Sequence, residues 1–327
     1  KVPNRARFMA AQHITEGLAA IDKMLVTVVD SEVKTLHDAS VHILTSGGKR
    51  IRPQMALLSY LAAGGEDFNE VIPVASAVEM VHTATLVHDD INDHSLTRRG
   101  KATVHSVWGR TFALLTGDYL FTKVYELMAP FNSELNVIMA ESCSRLVEGE
   151  TLQAYAAKQG SIDRETYKQI ISLKTASLFE GAAKMGAKLA TESEEIINGL
   201  SDYAYNLGLT FQIIDDILDV VGDPEDLGKP VGSDLLQGRG VLAVNNGLGA
   251  TDGEAPATAL AEVAVQEKPD AIEQMMANLR DSGALEIARI QAEETAQRAR
   301  SALEPLPPSP AKTELNELID LVLYRQN

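Results

Sequence analysis

The chain has 327 residues, 45% of them hydrophobic and 23% charged, the proportions of a globular protein with ample core. Its formal net charge of −17 argues against nucleic acid and anionic membrane as primary partners. The single cysteine, Cys143, rules out an internal disulfide, and no run of about eighteen apolar residues offers a membrane span, so a reducing, cytoplasmic location is expected. The segment begins at Lys1, which leaves any targeting signal unread.

Apolar stripes at helical spacing run along the chain with no strand-like alternation and no extended linker. They predict one all-α domain over 1–327, a bundle of about ten or more helices. Aromatic residues make up only 5%, while Ala, Leu and Gly are frequent, a composition suited to closely packed helices and a slim apolar channel. Helices are predicted over 5–30 and 31–46, before Gly47 and Gly48 break the pattern. The next spans 53–63 and ends at Gly64 and Gly65; a long one follows over 70–93. Residues 95–103, rich in Arg and Gly, read as a loop. Helices are then predicted over 105–128, 133–157, 163–189 and 193–221, with breaks at Pro130, Gly160 and Thr191. Residues 222–233, with Pro224, Gly228 and Pro230, form a loop, and 247–257 form another. The run EPLPPSP turns the chain into a last helix. No internal repeat is evident.

Two acidic clusters stand out. HDDINDHSLTRRG (88–100) contains Asp89, Asp90 and Asp93, and FQIIDDILDVVGD (211–223) contains Asp215, Asp216 and Asp219. Each is a DDxxD, in which residues i and i+4 share one helix face. Both lie within apolar runs, so each occupies one stripe of a largely buried helix. Two carboxylates about 6 Å apart at an effective dielectric near 20 repel by roughly 3 kcal/mol. A solvated face has no use for that arrangement, whereas a hard cation does. Magnesium prefers oxygen ligands, keeps waters and shares its shell with substrate phosphates.

Positive residues occur where phosphates would need them. Arg98 and Arg99 follow the first cluster, and SGGKRIRP places Lys49, Arg50 and Arg52 after a Gly pair. Lys174 and Thr175 lie in SLKTASLFEGAAKMG, Gln212 is three residues before Asp215, Lys229 lies in DLGKPVGSDL, and Arg239 closes that stretch. Arg binds phosphate through a planar fork and Lys binds it as a point charge. Singly, each is an ordinary surface charge. Together with two metal clusters they point to more than one diphosphate.

GGKRIRP, HTATLVHDDIND with RRG, GDYLF, KTASLFEGAAKMG and FQIIDDILDVVGD with LGKPVGSDL occur in the order seen in trans-isoprenyl diphosphate synthases. The chain resembles that family, and most closely its medium- and long-chain polyprenyl branch, strongly over 40–240 and more weakly near the C-terminus. The resemblance implies the isoprenoid synthase fold, with helices around a central apolar cavity, and a homodimer. It implies a Mg2+-dependent prenyltransferase with about three ions per site, held by Asp89, Asp93, Asp215 and Asp219. The substrates would be isopentenyl diphosphate, on Lys49, Arg52, His82 and Arg99, and an allylic diphosphate, on Arg98, Lys174, Thr175, Gln212, Lys229 and Arg239. The catalytic set would be Asp89, Asp90, Asp93, Arg98, Lys174, Asp215, Asp216 and Lys229, and the product a lipophilic all-trans chain. Ionisation of the allylic diphosphate, attack by the isopentenyl double bond and loss of a proton to the released diphosphate would need no His or Glu base.

Chain length depends on the first-cluster helix. At 100° per residue, Val74, Ala77, Val81, Ala84, Thr85 and His88 lie within about 50° of one line. In the family, an aromatic residue four or five positions before the first Asp closes the tunnel. Here those positions hold Thr85 and Ala84, and with Ala77 and Val81 they imply an open path and a product of hexaprenyl length or more. Geranylgeranyl diphosphate is the alternative. The family pattern Lys-x-Thr-x-Pro is replaced by Arg239, Val241 and Ala243, a departure that also fits a non-catalytic subunit of a heteromer. A class I terpene cyclase would carry a different second metal motif.

Overall fold

The computed structural model describes residues 4–159, 163–221 and 283–325, with side chains from His13 onward except that of Ala284. The helices among them are α1 (Asn4–Val28), α2 (Lys34–Leu44), α3 (Ile51–Ala62), α4 (Ile72–Asn92), α5 (Val104–Trp108), α6 (Arg110–Met128), α7 (Ser133–Gln159), α8 (Arg164–Ile171), α9 (Ser177–Ala190), α10 (Glu194–Val221), α11 (Ala284–Ala302) and α12 (Pro310–Leu323). The fold is all-α, as expected. Its only described strands are a two-residue pair, β1 (Thr97–Arg98) and β2 (Lys101–Ala102). No described helix is long and apolar enough to cross a membrane. The predicted loops at 222–233 and 247–257 lie outside the described residues.

The described residues fall into two compact units. One takes in parts of Lys1–Cys143, Leu178–Ala204 and Ala302–Asn316; the other takes in parts of Ser144–Ser177, Tyr205–Ser301 and Glu317–Asn327. In the first, α4 packs against α1, α3 and α6. It is apolar almost all round, as a helix enclosed by others must be, and Val74, Ala77, Val78, Met80, Val81 and Ala84 have no exposed surface. Gly117 of α6 lets that helix approach, since a Cβ there would strike the His88 ring of α4. Pro73 in the first turn of α4 gives up an amide that would have no helical acceptor.

Three elements differ from expectation, each for a local reason. The helix predicted over 105–128 breaks at Gly109, whose φ of 88° is open to glycine and strained for other residues. The predicted loop at 95–103 holds the hairpin β1–β2, with Thr97 opposite Ala102 and Arg98 opposite Lys101. Its turn, Arg99–Gly100, has two positive φ angles, the backbone that suits a two-residue connection. The helix predicted over 163–189 is interrupted at Ser172–Ala176 by a π-helical turn. Such an insertion adds a residue to one turn and redirects the side chains it carries. Asp163 caps α8 by accepting from the Thr166 amide at 2.7 Å.

Candidate active site

The first aspartate cluster sits at the C-terminal end of α4, and the second lies on α10; both helices are largely buried. Asp89 and Asp90 lie in the last turn of α4, which Asp93 caps, and the Asp93 amide still donates to the Asp89 carbonyl at 2.8 Å, so the i,i+4 relation holds. Asp215, Asp216 and Asp219 lie on α10. A helix C-terminus carries roughly half a negative charge and favours cations, yet α4 has no basic residue in its last turn. α4 places Asp89, Asp90 and Asp93 where its own dipole opposes them.

Within each cluster the three carboxylates have different surroundings. Asp89 and Asp93 are half-buried. Asp90 is 1% exposed, and Arg98 grips its Oδ1 through Nε at 2.8 Å and Nη2 at 2.7 Å. Burial pushes the Asp90 carboxyl above the usual carboxylate value, while Arg98 pulls it down. Asp90 Oδ2 is buried with no hydrogen-bond partner among the described residues. The Arg98 guanidinium, assigned to a diphosphate from the sequence, is thus engaged on Asp90 through two of its five N–H groups.

In the second unit the middle carboxylate is again the internal one. Asp216 is 5% exposed, accepts from the Tyr167 hydroxyl at 2.7 Å on Oδ2, and accepts from Gln212 Nε2 at 3.0 Å on Oδ1. Asp219 is buried, whereas the Asp215 side chain is 45% exposed and forms an ion pair with Arg325. Arg325 also donates to the Phe211 carbonyl at 3.1 Å and stacks over the Phe211 ring. Asp215 is therefore the second-cluster carboxylate most open to a ligand.

The π-helical turn beside it carries Lys174 and Thr175. Lys174 Nζ donates to Glu150 Oε2 at 2.7 Å and to Gln153 Oε1 at 2.8 Å, and the Thr175 hydroxyl donates to Gln212 Oε1 at 2.8 Å. Gly149 is where α7 comes closest, since a Cβ there would overlap the backbone of Leu173 and Lys174.

In the first unit the structure brings together Arg52, His82, Arg99 and the loop that bears Lys49. Arg99 donates to the Gly47 carbonyl, and a Cβ on Gly48 would meet the Arg99 guanidinium. Burial, then the charges of Arg52, Arg99, Arg98 and Arg50, hold His82 well below its ordinary 6.5, so its ring is neutral at pH 7. Arg52 stacks on the Phe179 ring, 4.9 Å from its centroid. Arg50, by contrast, is a structural tie. It donates to Asp22 at 3.0 Å, to the Leu44 carbonyl at 2.7 Å and to the buried Glu79 at 2.5 Å, joining α1, α2 and α4. Non-glycine residues with positive φ gather around these loops at Arg50, His94 and Arg99. Such strain persists where surroundings hold it, often at ligand sites.

Lys229, Arg239 and the atypical 239–244 run lie outside the described residues. Ala77, Val81 and Ala84 are fully buried; Thr85 is half-buried and its hydroxyl donates to the His82 carbonyl at 2.8 Å. Cys143 is half-buried, and burial pushes its thiol up to about 11, so it is no nucleophile at neutral pH. Sequence reasoning missed Tyr167, Glu150, Gln153 and Arg325. Glu150 and Gln153 are spaced i,i+3 on α7, but nothing local identifies Lys174 as their partner.

Among the described residues no group of three or more His, Cys, Asp and Glu side chains could hold a metal ion unaided. Oxygen-donor pairs at i,i+4 fit magnesium, which typically takes one or two carboxylates and completes its shell with water and phosphate.

The polyprenyl synthetase family profile matches residues 33–279. Octaprenyl diphosphate synthase of Escherichia coli (strain K12) is 34% identical over 313 residues, covering 95% of this chain and 96% of the relative. A short chain isoprenyl diphosphate synthase of Methanothermobacter thermautotrophicus is 36% identical, covering 94% of this chain and 96% of the relative. The crystal structure of a polyprenyl synthase from Caulobacter crescentus CB15, complexed with calcium and isoprenyl diphosphate, superposes with a TM-score of 0.89. It is 31% identical and covers 96% of both chains.

Proposed function

This chain belongs to the polyprenyl synthetase family and is a prenyltransferase, a polyprenyl diphosphate synthase, and from that premise we propose that it extends an allylic diphosphate with isopentenyl diphosphate to an all-trans product of hexaprenyl length or more. The observation that carries the reading is the pair of aspartate clusters, each with i,i+4 carboxylates on one face of a largely buried helix. A divalent cation offsets the mutual repulsion of such carboxylates. The similar Caulobacter structure holds calcium with an isoprenyl diphosphate, and the divalent ion here is magnesium, about three per site.

Asp89, Asp93 and Asp215 hold metal, joined by Asp219, while Asp90 and Asp216 fix the orientation of their helices. Bound magnesium supplies Lewis-acid neutralisation of the diphosphate. Arg98, Lys174, Thr175, Gln212, Lys229 and Arg239 contact the allylic diphosphate and favour departure of the leaving group. Lys49, Arg52, His82 and Arg99 hold isopentenyl diphosphate; the neutral His82 ring offers one N–H donor and one acceptor nitrogen. The allylic C–O bond breaks, and the isopentenyl double bond attacks the resulting cation. The proton then leaves to the released diphosphate. Apolar surroundings exclude water that would quench the cation.

The two compact units are read as parts of one catalytic domain, since α7 and α10 each contribute residues to both. The working assembly is a homodimer. Val107, Phe112, Leu114, Leu115 and Tyr125 leave a large exposed apolar area on α5 and α6, the kind of surface that an isologous interface covers. A shorter product is the second reading, supported by the 36% identity to a short chain synthase.

Labelled isopentenyl diphosphate, farnesyl diphosphate and Mg2+ incubated with the full chain test the activity and the product length together. Asp89→Ala and Asp215→Ala are each expected to lower turnover by several orders of magnitude with the helical fold retained. Full activity in EDTA, or in either variant, would refute the metal mechanism.

A further inference from the structure

We propose that Tyr167 is a positioning residue for the second aspartate cluster: its hydroxyl anchors Asp216 and so sets the rotation of α10 that presents Asp215 to a divalent cation. The inference rests on the reading that this cluster binds metal with a diphosphate.

The geometry is a directed chain of hydrogen bonds. The Thr175 hydroxyl donates to Gln212 Oε1 at 2.8 Å, which fixes the amide so that Nε2 faces Asp216. Gln212 Nε2 donates to Asp216 Oδ1 at 3.0 Å, and the Tyr167 hydroxyl donates to Oδ2 at 2.7 Å. Both oxygens of the middle carboxylate are thereby held from inside the protein. Tyr167 and Asp216 are 4% and 5% exposed, so water does not replace the Tyr167 hydroxyl.

The consequence follows from helix geometry. Successive side chains are about 100° apart, so pinning Asp216 also fixes the bearing of Asp215 and of Asp219, one turn on from Asp215. In the first cluster the corresponding carboxylate, Asp90, is held by the charged Arg98. Tyr167 and Gln212 are neutral donors, so they orient the Asp216 carboxylate without adding charge of their own. Burial, and then the Asp216 charge, push the Tyr167 phenol well above its ordinary value, so the hydroxyl remains a donor throughout the physiological range. Tyr167 also lies on α8, which leads directly into the π-helical turn carrying Lys174 and Thr175. One short segment thus supports both ends of the network. Partners that orient a metal ligand typically account for 10–100-fold in affinity or activity.

The test uses the full chain, Mn2+ as a paramagnetic probe and inorganic pyrophosphate, with bound and free Mn2+ resolved by electron paramagnetic resonance. Each protein is titrated below its own melting transition, so general stability does not enter. In wild type, Mn2+ binds in the presence of pyrophosphate. Tyr167→Phe removes one hydroxyl and is expected to weaken at least one Mn2+ site about ten-fold. Because Tyr167 acts through Asp216, adding Tyr167→Phe to Asp216→Asn should change affinity by less than about two-fold. Tyr203→Phe is the structural control, since it removes an equally buried hydroxyl from the Leu315 carbonyl at 2.7 Å and should leave Mn2+ affinity unchanged. Wild-type affinity in Tyr167→Phe, multiplying losses in the double variant, or the same loss in Tyr203→Phe would each overturn the positioning role. Failure of wild type to bind Mn2+ would overturn the metal reading, and this inference with it.

Discussion

Substitutions along one face of α4 give a graded test of how product length is set. Ala84, Val81 and Ala77 are fully buried and precede Asp89 by five, eight and twelve residues. At 1.5 Å rise per residue they lie about 7.5, 12 and 18 Å from it along the helix axis. If this face lines the path of the growing tail, a Phe ring at each depth blocks elongation at that depth. Ala84→Phe should give the shortest product, Val81→Phe a longer one and Ala77→Phe the longest of the three, all shorter than wild type. The metal and diphosphate groups are untouched, so the first condensation survives. The added volume should cost at most about 1–3 kcal/mol where a channel receives it. Products made from labelled isopentenyl diphosphate are dephosphorylated and compared by chromatography, alongside thermal melts. One unchanged length across all three variants would refute the ruler. Unfolding of all three would show that these side chains are small because neighbouring helices pack on them.

Removing the partner of Asp90 should be severe: Arg98→Ala leaves a buried carboxylate without its charged donor and is expected to cost about 3–5 kcal/mol in urea unfolding, whereas a loss below 1 kcal/mol would show the pair to be incidental. His82 should make stability pH-dependent. Its folded value lies well below the unfolded 6.5, so between those two values the unfolded chain binds a proton that the folded one does not. Stability should therefore fall as pH drops from 6.5 toward the folded value, by at most about 1.4 kcal/mol per pH unit, relative to His82→Asn; parallel melting curves for the two proteins would refute this. Wild type should scatter light as a dimer at micromolar concentration, and Phe112→Asp with Leu115→Asp should yield monomers; a wild-type monomer would remove the proposed interface.

The sequence alone determined that the chain is helical, because the spacing of its apolar residues is a local property that survives in any context. The same periodicity places Asp89 with Asp93 and Asp215 with Asp219, since i and i+4 share a face wherever a helix forms. Local chemistry was harder to read where one residue decides the backbone. Gly109 breaks a helix that the apolar pattern carried through, Arg99 and Gly100 turn a hairpin inside a predicted loop, and the turn at Ser172–Ala176 takes the π form. Only the tertiary structure decided which donors satisfy the buried carboxylates. Tyr167 reaches Asp216 across 49 positions, Arg325 reaches Asp215 across 110, and Arg50 reaches Glu79 across 29. It also separated Arg50, which ties three helices together, from Arg52 and Arg99 beside His82, although all three look alike as basic residues near glycines. Periodicity specifies which way a side chain faces along its own helix. The partner waiting there is set by the packing of distant segments, which no local pattern encodes.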